Sequence, residues 1–449
     1  MSKFKILISI FLLTSVFTNA QEILRKRISE ASMAIEPKVV TWRRDFHEHP
    51  ELGNQEFRTA AIVARHLKAL GMEVQENVAF TGVVGILKGA KPGPVIALRA
   101  DMDGLPVTER VNVPFKSTVK TIYNEQNTGV MHACGHDSHV AILMGTAEVL
   151  SGMKNELAGT IKFIFQPAEE GVSDKNIPFG ADGMIKAGVL DNPKVDVAFG
   201  LHINSQTPAG KISYKPGPLM AAVDELNITI KGKQTHGAYP WEGVDPIVTS
   251  SQIISALQTI VSRNVKLTEA PAVVTVGAIH GGIRHNIIPE EVKMIGTIRT
   301  LTREQRILVH KRINAIAKGI AESAGCVAEV NIVNGYPVTV NDPELTEMMA
   351  ATLENSAGKE NVKIVPAAMG AEDFSYFQEK VPAMFFFLGG MDPTKNPSEV
   401  APHHTPDFYI DESGFDLGVK TFCNLVFDYA EKYNSKNKPV ATPKNKTKK

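Results

Sequence analysis

The chain has 449 residues, with 48 Lys+Arg against 48 Asp+Glu, 43% hydrophobic and 21% charged residues, and three cysteines. That length accommodates two or three domains with a sizeable core, and the composition is that of a globular chain, not a disordered one. Three cysteines exclude a disulfide framework, and no apolar run reaches the roughly 18 residues of a membrane span. The zero net charge is unevenly distributed: residues 434–449 carry six lysines and no acid, residues 1–20 two lysines and no acid, and the body between has net charge −8. An acidic body argues against a nucleic-acid partner, and the basic end reads as a solvated, disordered tail.

In chain order, Lys3 and Lys5 precede an apolar run over 6–17, and Ala20 closes a small-residue site before Gln21. This is the pattern of a secretory signal peptide, so the mature protein is expected to be exported, to a periplasm or outside the cell. A free thiol in an oxidising compartment then needs a reason, and a metal supplies one. Helical spacing follows over 39–71, with Ala60, Ala61, Ala64, Leu67 and Leu70 as one stripe and Gly71 as its stop. Short apolar runs at 83–87, 95–100, 160–165 and 195–200 read as buried strands, with helical text such as 140–150 between them. Such alternation predicts an α/β domain with a mostly parallel sheet. Between 220 and 333 the order changes to strand, helix, strand, strand, helix, strand, the ferredoxin-like α+β arrangement. The chain then returns to αβ texture and a closing helix at 412–433. The simplest division is a signal segment at 1–20, a discontinuous catalytic domain at 21–219 and 334–433, an inserted domain at 220–333 and a tail at 434–449.

Chemistry-bearing residues gather at the ends of the predicted strands. Asp101 and Asp103 follow the strand at 95–100, and Glu169 and Glu170 follow the strand at 160–165. His202 ends the one at 195–201. Cys134 and His136 open a helix two residues apart, where both can face one ion. His403 and His404 precede the last helix. The carboxyl ends of an open parallel sheet converge on one crevice. There Cys134, His136, Glu170, His202 and His404 form five ligands, more than one catalytic zinc takes, which suggests two metals with the thiolate as bridge. Of two adjacent carboxylates, one can ligate while the other acts on a water.

The motifs Arg43-Arg44-Asp45-Phe46-His47-Glu48-His49-Pro50-Glu51-Leu52-Gly53, Ala100-Asp101-Met102-Asp103-Gly104-Leu105-Pro106, His132-Ala133-Cys134-Gly135-His136-Asp137, Phe165-Gln166-Pro167-Ala168-Glu169-Glu170-Gly171 and Met369-Gly370-Ala371-Glu372-Asp373-Phe374-Ser375-Tyr376-Phe377 resemble a known group. It is the amidohydrolase branch of the aminoacylase/carboxypeptidase metallohydrolases, which includes hippurate hydrolase and the indoleacetyl-amino-acid hydrolases. The resemblance runs from about Arg43 to Tyr433. It implies a two-metal site on the same five ligands and Glu169 as general base and acid; the thiolate leans towards zinc, while carboxylate and imidazole donors admit manganese, cobalt or nickel. It implies that the insert is a lid and a homodimerisation surface, carrying His236 to the reacting carbonyl and Asn286 and Arg299 to the substrate. Asp103, and less directly Asp137 and Glu372, would orient the ligands. The familiar Gly-Gly-His is here Gln234-Thr235-His236, and Tyr239 and Trp241 make the loop after it unusually aromatic.

The expected activity is metal-dependent cleavage of an N-acyl-amino acid. Rivals are a dipeptidase or carboxypeptidase on short peptides, a cysteine hydrolase using Cys134 and His136, and a non-catalytic metal- or solute-binding protein.

Overall fold

The computed structural model describes residues 2–172 and 177–437, with side chains from residue 21 onward. From residue 438 the expected basic tail lies outside the described residues, as do the side chains of the expected signal segment. The backbone is helical from Ser2, in a single helix α1 (Ser2–Glu48). Among the described residues no helix is long and apolar enough to cross a membrane.

The chain divides into two compact units, the larger comprising Met1–Tyr214, Pro343–Ile364 and Lys380–Lys449. In the larger unit, helix α2 (Phe57–Ala69) follows α1 after a break. Pro50 stands in that break, where it cannot continue a helix and restricts the residue before it. The stripe expected here is shifted: Ala64 and Leu67 are buried, but Val63 takes the inward place and Ala61 is exposed.

An eight-stranded sheet then forms from β1 (Glu73–Val78), β2 (Gly82–Lys88), β3 (Lys91–Asp101), β4 (Ala158–Gln166), β5 (Val197–Pro208), β6 (Ile212–Tyr214), β7 (Val362–Ile364) and β8 (Ala383–Met391). Its order is β1-β2-β4-β3-β5-β8-β6-β7. The pairs β3–β4, β3–β5, β5–β8 and β6–β7 are parallel, and β1–β2, β2–β4 and β6–β8 antiparallel. The central strands carry buried apolar runs such as Ile96–Leu98, Phe163–Phe165, Val197–Phe199 and Ala383–Phe386, as strands covered on both faces do, with the polar residues Arg99, Asp101 and Gln166 buried at the carboxyl ends of β3 and β4. Helices at His136–Gly152, Pro343–Ala357 and Phe415–Lys436 complete the core, joined by Ile28, Ile35 and Val39 of α1.

The smaller unit comprises Lys215–Asp342 and Val365–Glu379. Strands at Ala222–Lys231, Ala272–Gly281, Glu291–Thr300 and Val327–Asn334 form one antiparallel sheet. Helices at Pro246–Thr259 and Arg303–Ser323 contribute Ile253, Leu257, Val309, Ile313 and Ala317 to its core. Both helices have side-chain caps: Asp245 accepts from Ile247 and Val248, and Thr302 from Gln305. The segment at 365–379 is tied in by Ala221 N, which donates to Ala368 O at 3.1 Å and Gly370 O at 2.9 Å.

Candidate metal centre

Parallel pairing in the larger unit brings the chemistry together. β3 lies between β4 and β5, with Asp101 in register with Gln166 at the strand ends. The chain continues from β3 into Asp103 and from β4 into Glu169 and Glu170. His202 lies inside β5, not at its end. That strand runs on to Pro208 because β8 pairs with it from Ala198 as far as Pro208. Cys134 and His136 flank Gly135, whose φ of +93° turns the chain into the helix His136–Gly152.

Cys134, His136, Glu170, His202 and His404 are brought into one cluster. Cys134 Sγ is 3.4 Å from His202 Nε2 and 3.3 Å from His404 Nε2, and His404 Nε2 is 3.0 Å from Glu170 Oε1. Donor atoms of Cys134, His136 and Glu170 lie within 4.8 Å of one another.

Hydrogen bonds decide which imidazoles can ligate. His136 Nδ1 donates to Asp103 O at 2.9 Å, so its Nε2 keeps the lone pair, buried and without a hydrogen-bond partner. His202 Nδ1 donates to Ile203 O at 2.6 Å and likewise leaves Nε2 for the cluster. His139 and His403 are as close but differently committed. Ile203 N donates to His139 Nε2 at 2.8 Å, so Nδ1 carries the proton given to Asp101 Oδ1 at 2.6 Å. Ser205 N donates to His403 Nε2 at 3.2 Å, and Nδ1 donates to Cys134 O at 3.2 Å. Neither ring has a lone pair to spare, so both support the cluster from behind.

Charge in the cluster asks for a cation. Burial, then Glu170, Glu169 and Asp101, push the Cys134 thiol well above its ordinary range. Burial pulls His136 down, yet Asp101 and Asp103 carry it up to about 10. Burial opposes ionisation of Asp101, but Arg99, His136 and His139 hold it well below the usual carboxylate range. A divalent ion reverses this local field, taking thiolate and neutral imidazole as ligands. His136 Nε2, which makes no hydrogen bond and faces Asp101 Oδ2 at 3.7 Å, and the mixed sulfur, nitrogen and oxygen donors fit such an ion. The other two cysteines, Cys326 and Cys423, are packed in the cores.

Asp103 joins the two halves of the cluster: it accepts from His136 Nδ1 through its carbonyl, from Glu169 N at 3.0 Å and from Glu170 N at 2.9 Å. Asp137 turns elsewhere, pairing with Arg43 Nε at 2.9 Å and His47 Nδ1 at 2.7 Å. Arg43 and His47 belong to the first motif of the resemblance, and their sequence gave no sign that they brace the start of the helix carrying His136.

His236, Asn286 and Arg299 belong to the smaller unit. Thr235–His236 pairs with Ile287–Ile288, and Gly237 N donates to Asn286 O at 2.8 Å, so His236 and Asn286 are neighbours. Ala238 N donates to His236 Nδ1 at 3.0 Å, which leaves the proton on the exposed Nε2. Arg299 is half-buried, and that burial lowers its pKa. Glu372 Oε1 accepts from Phe374 N at 2.9 Å in the same unit.

A family model described as peptidase family M20/M25/M40 matches residues 97–428. Thermostable carboxypeptidase 2 of Saccharolobus solfataricus is 41% identical, over 89% of this chain and 97% of that protein. N-acetylcysteine deacetylase of Bacillus subtilis is 39% identical, over 88% and 98%. Among solved structures, the Bacillus subtilis YXEP protein, described as a dinuclear metal binding peptidase from the M20 family, superimposes with a TM-score of 0.73 at 36% identity. That match covers 89% of this chain and 99% of the other.

Proposed function

We propose, from the premise that the chain belongs to peptidase family M20/M25/M40, that it is an exported amidohydrolase cleaving N-acyl-amino acids to a carboxylic acid and a free amino acid. Metal-dependent amide hydrolysis is the chemistry of the family. The acyl-amino-acid substrate is supported by the relative named as a deacetylase. Export rests on the charged and apolar pattern over 1–20. Homodimerisation through the smaller unit is supported by the exposed Ile279, Ile295, Val327 and Val333 on its strands.

Cys134, His136, Glu170, His202 and His404 would hold two divalent ions, zinc or manganese, which when bound polarise the amide carbonyl and acidify water. Glu169 takes the proton of the attacking water and returns it to the leaving nitrogen. Asp103 positions Glu169 through its backbone N–H and fixes the His136 tautomer. His236 donates from Nε2 to the developing oxyanion. Asn286 and Arg299 take the substrate carboxylate, and half-burial of the guanidinium strengthens that pairing.

The observation that carries this reading is the buried Nε2 of His136, which makes no hydrogen bond, beside a thiol and a carboxylate. A Cys134–His136 nucleophile pair would instead need that nitrogen bonded to the sulfur, which is bonded to His202 and His404. The test is amino-acid release from a panel of N-acyl-amino acids and dipeptides, with metal-loaded and chelated enzyme side by side. Metal-dependent release from acyl conjugates is expected, with Glu169→Gln keeping its metal and losing ~10²- to 10⁴-fold in turnover. Release from dipeptides alone would favour the second reading, a peptidase, which the relative named as a carboxypeptidase supports.

A further inference from the structure

The loop after His236 is compact and bonded to itself. Lys233 and Val244 close it with two backbone hydrogen bonds of 2.9 and 3.0 Å. Inside, Tyr239 N donates to His236 O at 2.8 Å, Glu242 N to Tyr239 O at 3.1 Å, and Thr235 Oγ1 to Tyr239 O at 3.3 Å. Pro240–Glu242 is a single 3₁₀ turn, and Asp245 beyond it caps the next helix. A Cβ on Gly243 would meet Lys233 O and the Thr235 side chain at 2.5 Å, so the closure is tight. Groups on such a loop move as one body with His236.

Three rings follow one another on that body. The His236 and Tyr239 centroids are 5.2 Å apart, and those of Tyr239 and Trp241 5.6 Å apart, within the range of favourable aromatic contact. Tyr239 is 49% exposed and Trp241 75%. This is an outward aromatic ladder that begins at the exposed Nε2–H of His236. Glu242 is the only charged residue between His236 and Asp245, and its sign repels a carboxylate. The loop therefore suits the uncharged end of a substrate, while Asn286, in the turn before Ile287–Ile288, and Arg299, on the strand Glu291–Thr300, suit the carboxylate end.

We propose that Tyr239 and Trp241 form an acyl-group platform that selects N-acyl-amino acids with aromatic acyl groups, such as benzoyl or arylacetyl, over those with acetyl. This rests on the function proposed above, in particular on His236 reaching the scissile carbonyl. A substrate carbonyl at His236 Nε2 then has its acyl substituent within ring-stacking reach of Tyr239, and of Trp241 for larger groups.

The test compares kcat/KM for N-benzoylglycine and N-acetylglycine in the metal-loaded enzyme and its variants. Trp241→Ala and Tyr239→Ala should each lower the benzoyl-to-acetyl ratio about tenfold, and Trp241→Phe should restore most of it. Turnover of both substrates with an unchanged ratio in both alanine variants overturns the platform. So does a Trp241→Ala enzyme whose only change is its association state, since the ring would then serve a second copy of the chain. A binding measurement separates this proposal from the function on which it rests. Trp42 is the only other tryptophan, so in a Trp42→Phe, Glu169→Gln background the emission reports Trp241. N-benzoylglycine should shift or quench it and N-acetylglycine should not. Failure of the wild type to cleave either compound would remove the function above. The platform would still be judged by this emission, and an absent or equal response to both ligands overturns it.

Discussion

Gly135→Ala tests how the backbone places the cluster. At φ +93° an L-residue carries a left-handed penalty of about 1–2 kcal/mol. The added Cβ would also stand 2.3 Å from Ile203 Cγ2. Ile203 is fully buried and cannot retreat freely, because on another side its Cγ1 is the atom that a Cβ at Gly390 would meet at 2.7 Å. Overpacking of this kind costs about 1–3 kcal/mol. Together the two effects predict a loss of roughly 2–5 kcal/mol, or ~3–8 °C in Tm for a unit of this size. Cys134 and His136 flank the glycine, so metal affinity should fall about 10- to 100-fold as their donors shift. Urea denaturation of the metal-free chain and competitive metal titration read the two effects. A double-mutant cycle with Ile203→Ala separates them: the clash should vanish as ~1–3 kcal/mol of favourable coupling, and the left-handed penalty should remain. A Gly135→Ala protein with unchanged Tm and unchanged metal affinity, or additivity within about 0.5 kcal/mol, would refute the reasoning.

Chelation should destabilise the larger unit by about 2.7 kcal/mol per site when the metal had been present at 100-fold over its Kd, seen as a metal-dependent Tm; Cys134→Ser should shrink that dependence. His236→Ala should leave metal binding intact while lowering kcat ~10²- to 10³-fold, and an unchanged kcat would remove it from the chemistry. In the smaller unit the buried Asp224 accepts from Arg306 Nε at 3.0 Å and from His310 Nε2 at 2.6 Å. Burial opposes its ionisation, but His310 and Arg306 hold its pKa below the ordinary value. Its stabilisation is thus fully present above an unfolded pKa of ~3.9 and lost as pH falls through the folded value. Asp224→Asn should cost about 3 kcal/mol at pH 7, with the gap to wild type closing below about pH 4. Hydrogen exchange of the strand Ala222–Lys231 across pH measures this, and a gap that widens in acid would reverse the assignment.

Much of this protein is legible in its sequence where the determining interactions are local. The six longest elements of the smaller unit between 222 and 334 follow from hydrophobic period, and the short pair Thr235–His236 with Ile287–Ile288 does not. The close pair Cys134 and His136 is set by a left-handed turn that only Gly135 makes cheaply. Adjacent acids at 169 and 170 and the strand-end positions of Asp101 and Asp103 follow from short apolar runs that stop at polar residues. Tertiary structure alone sorts the histidines. In the sequence His403 and His404 are equivalent neighbours, yet φ +63° at His404 turns the chain between them. One ring is then spent on Ser205 N and Cys134 O, and the other reaches Cys134 Sγ and Glu170. His139 is excluded in the same way by Ile203 N and Asp101, partners 64 and 38 residues distant. His202 is moved from a strand end to a strand interior by its pairing with β8, about 180 residues later in the chain (from register pairs such as His202 with Phe387). Residue type shows which side chains can bind a metal. Which lone pairs remain to do so is decided by hydrogen bonds to distant backbone, and those exist only once the parallel strands have come together.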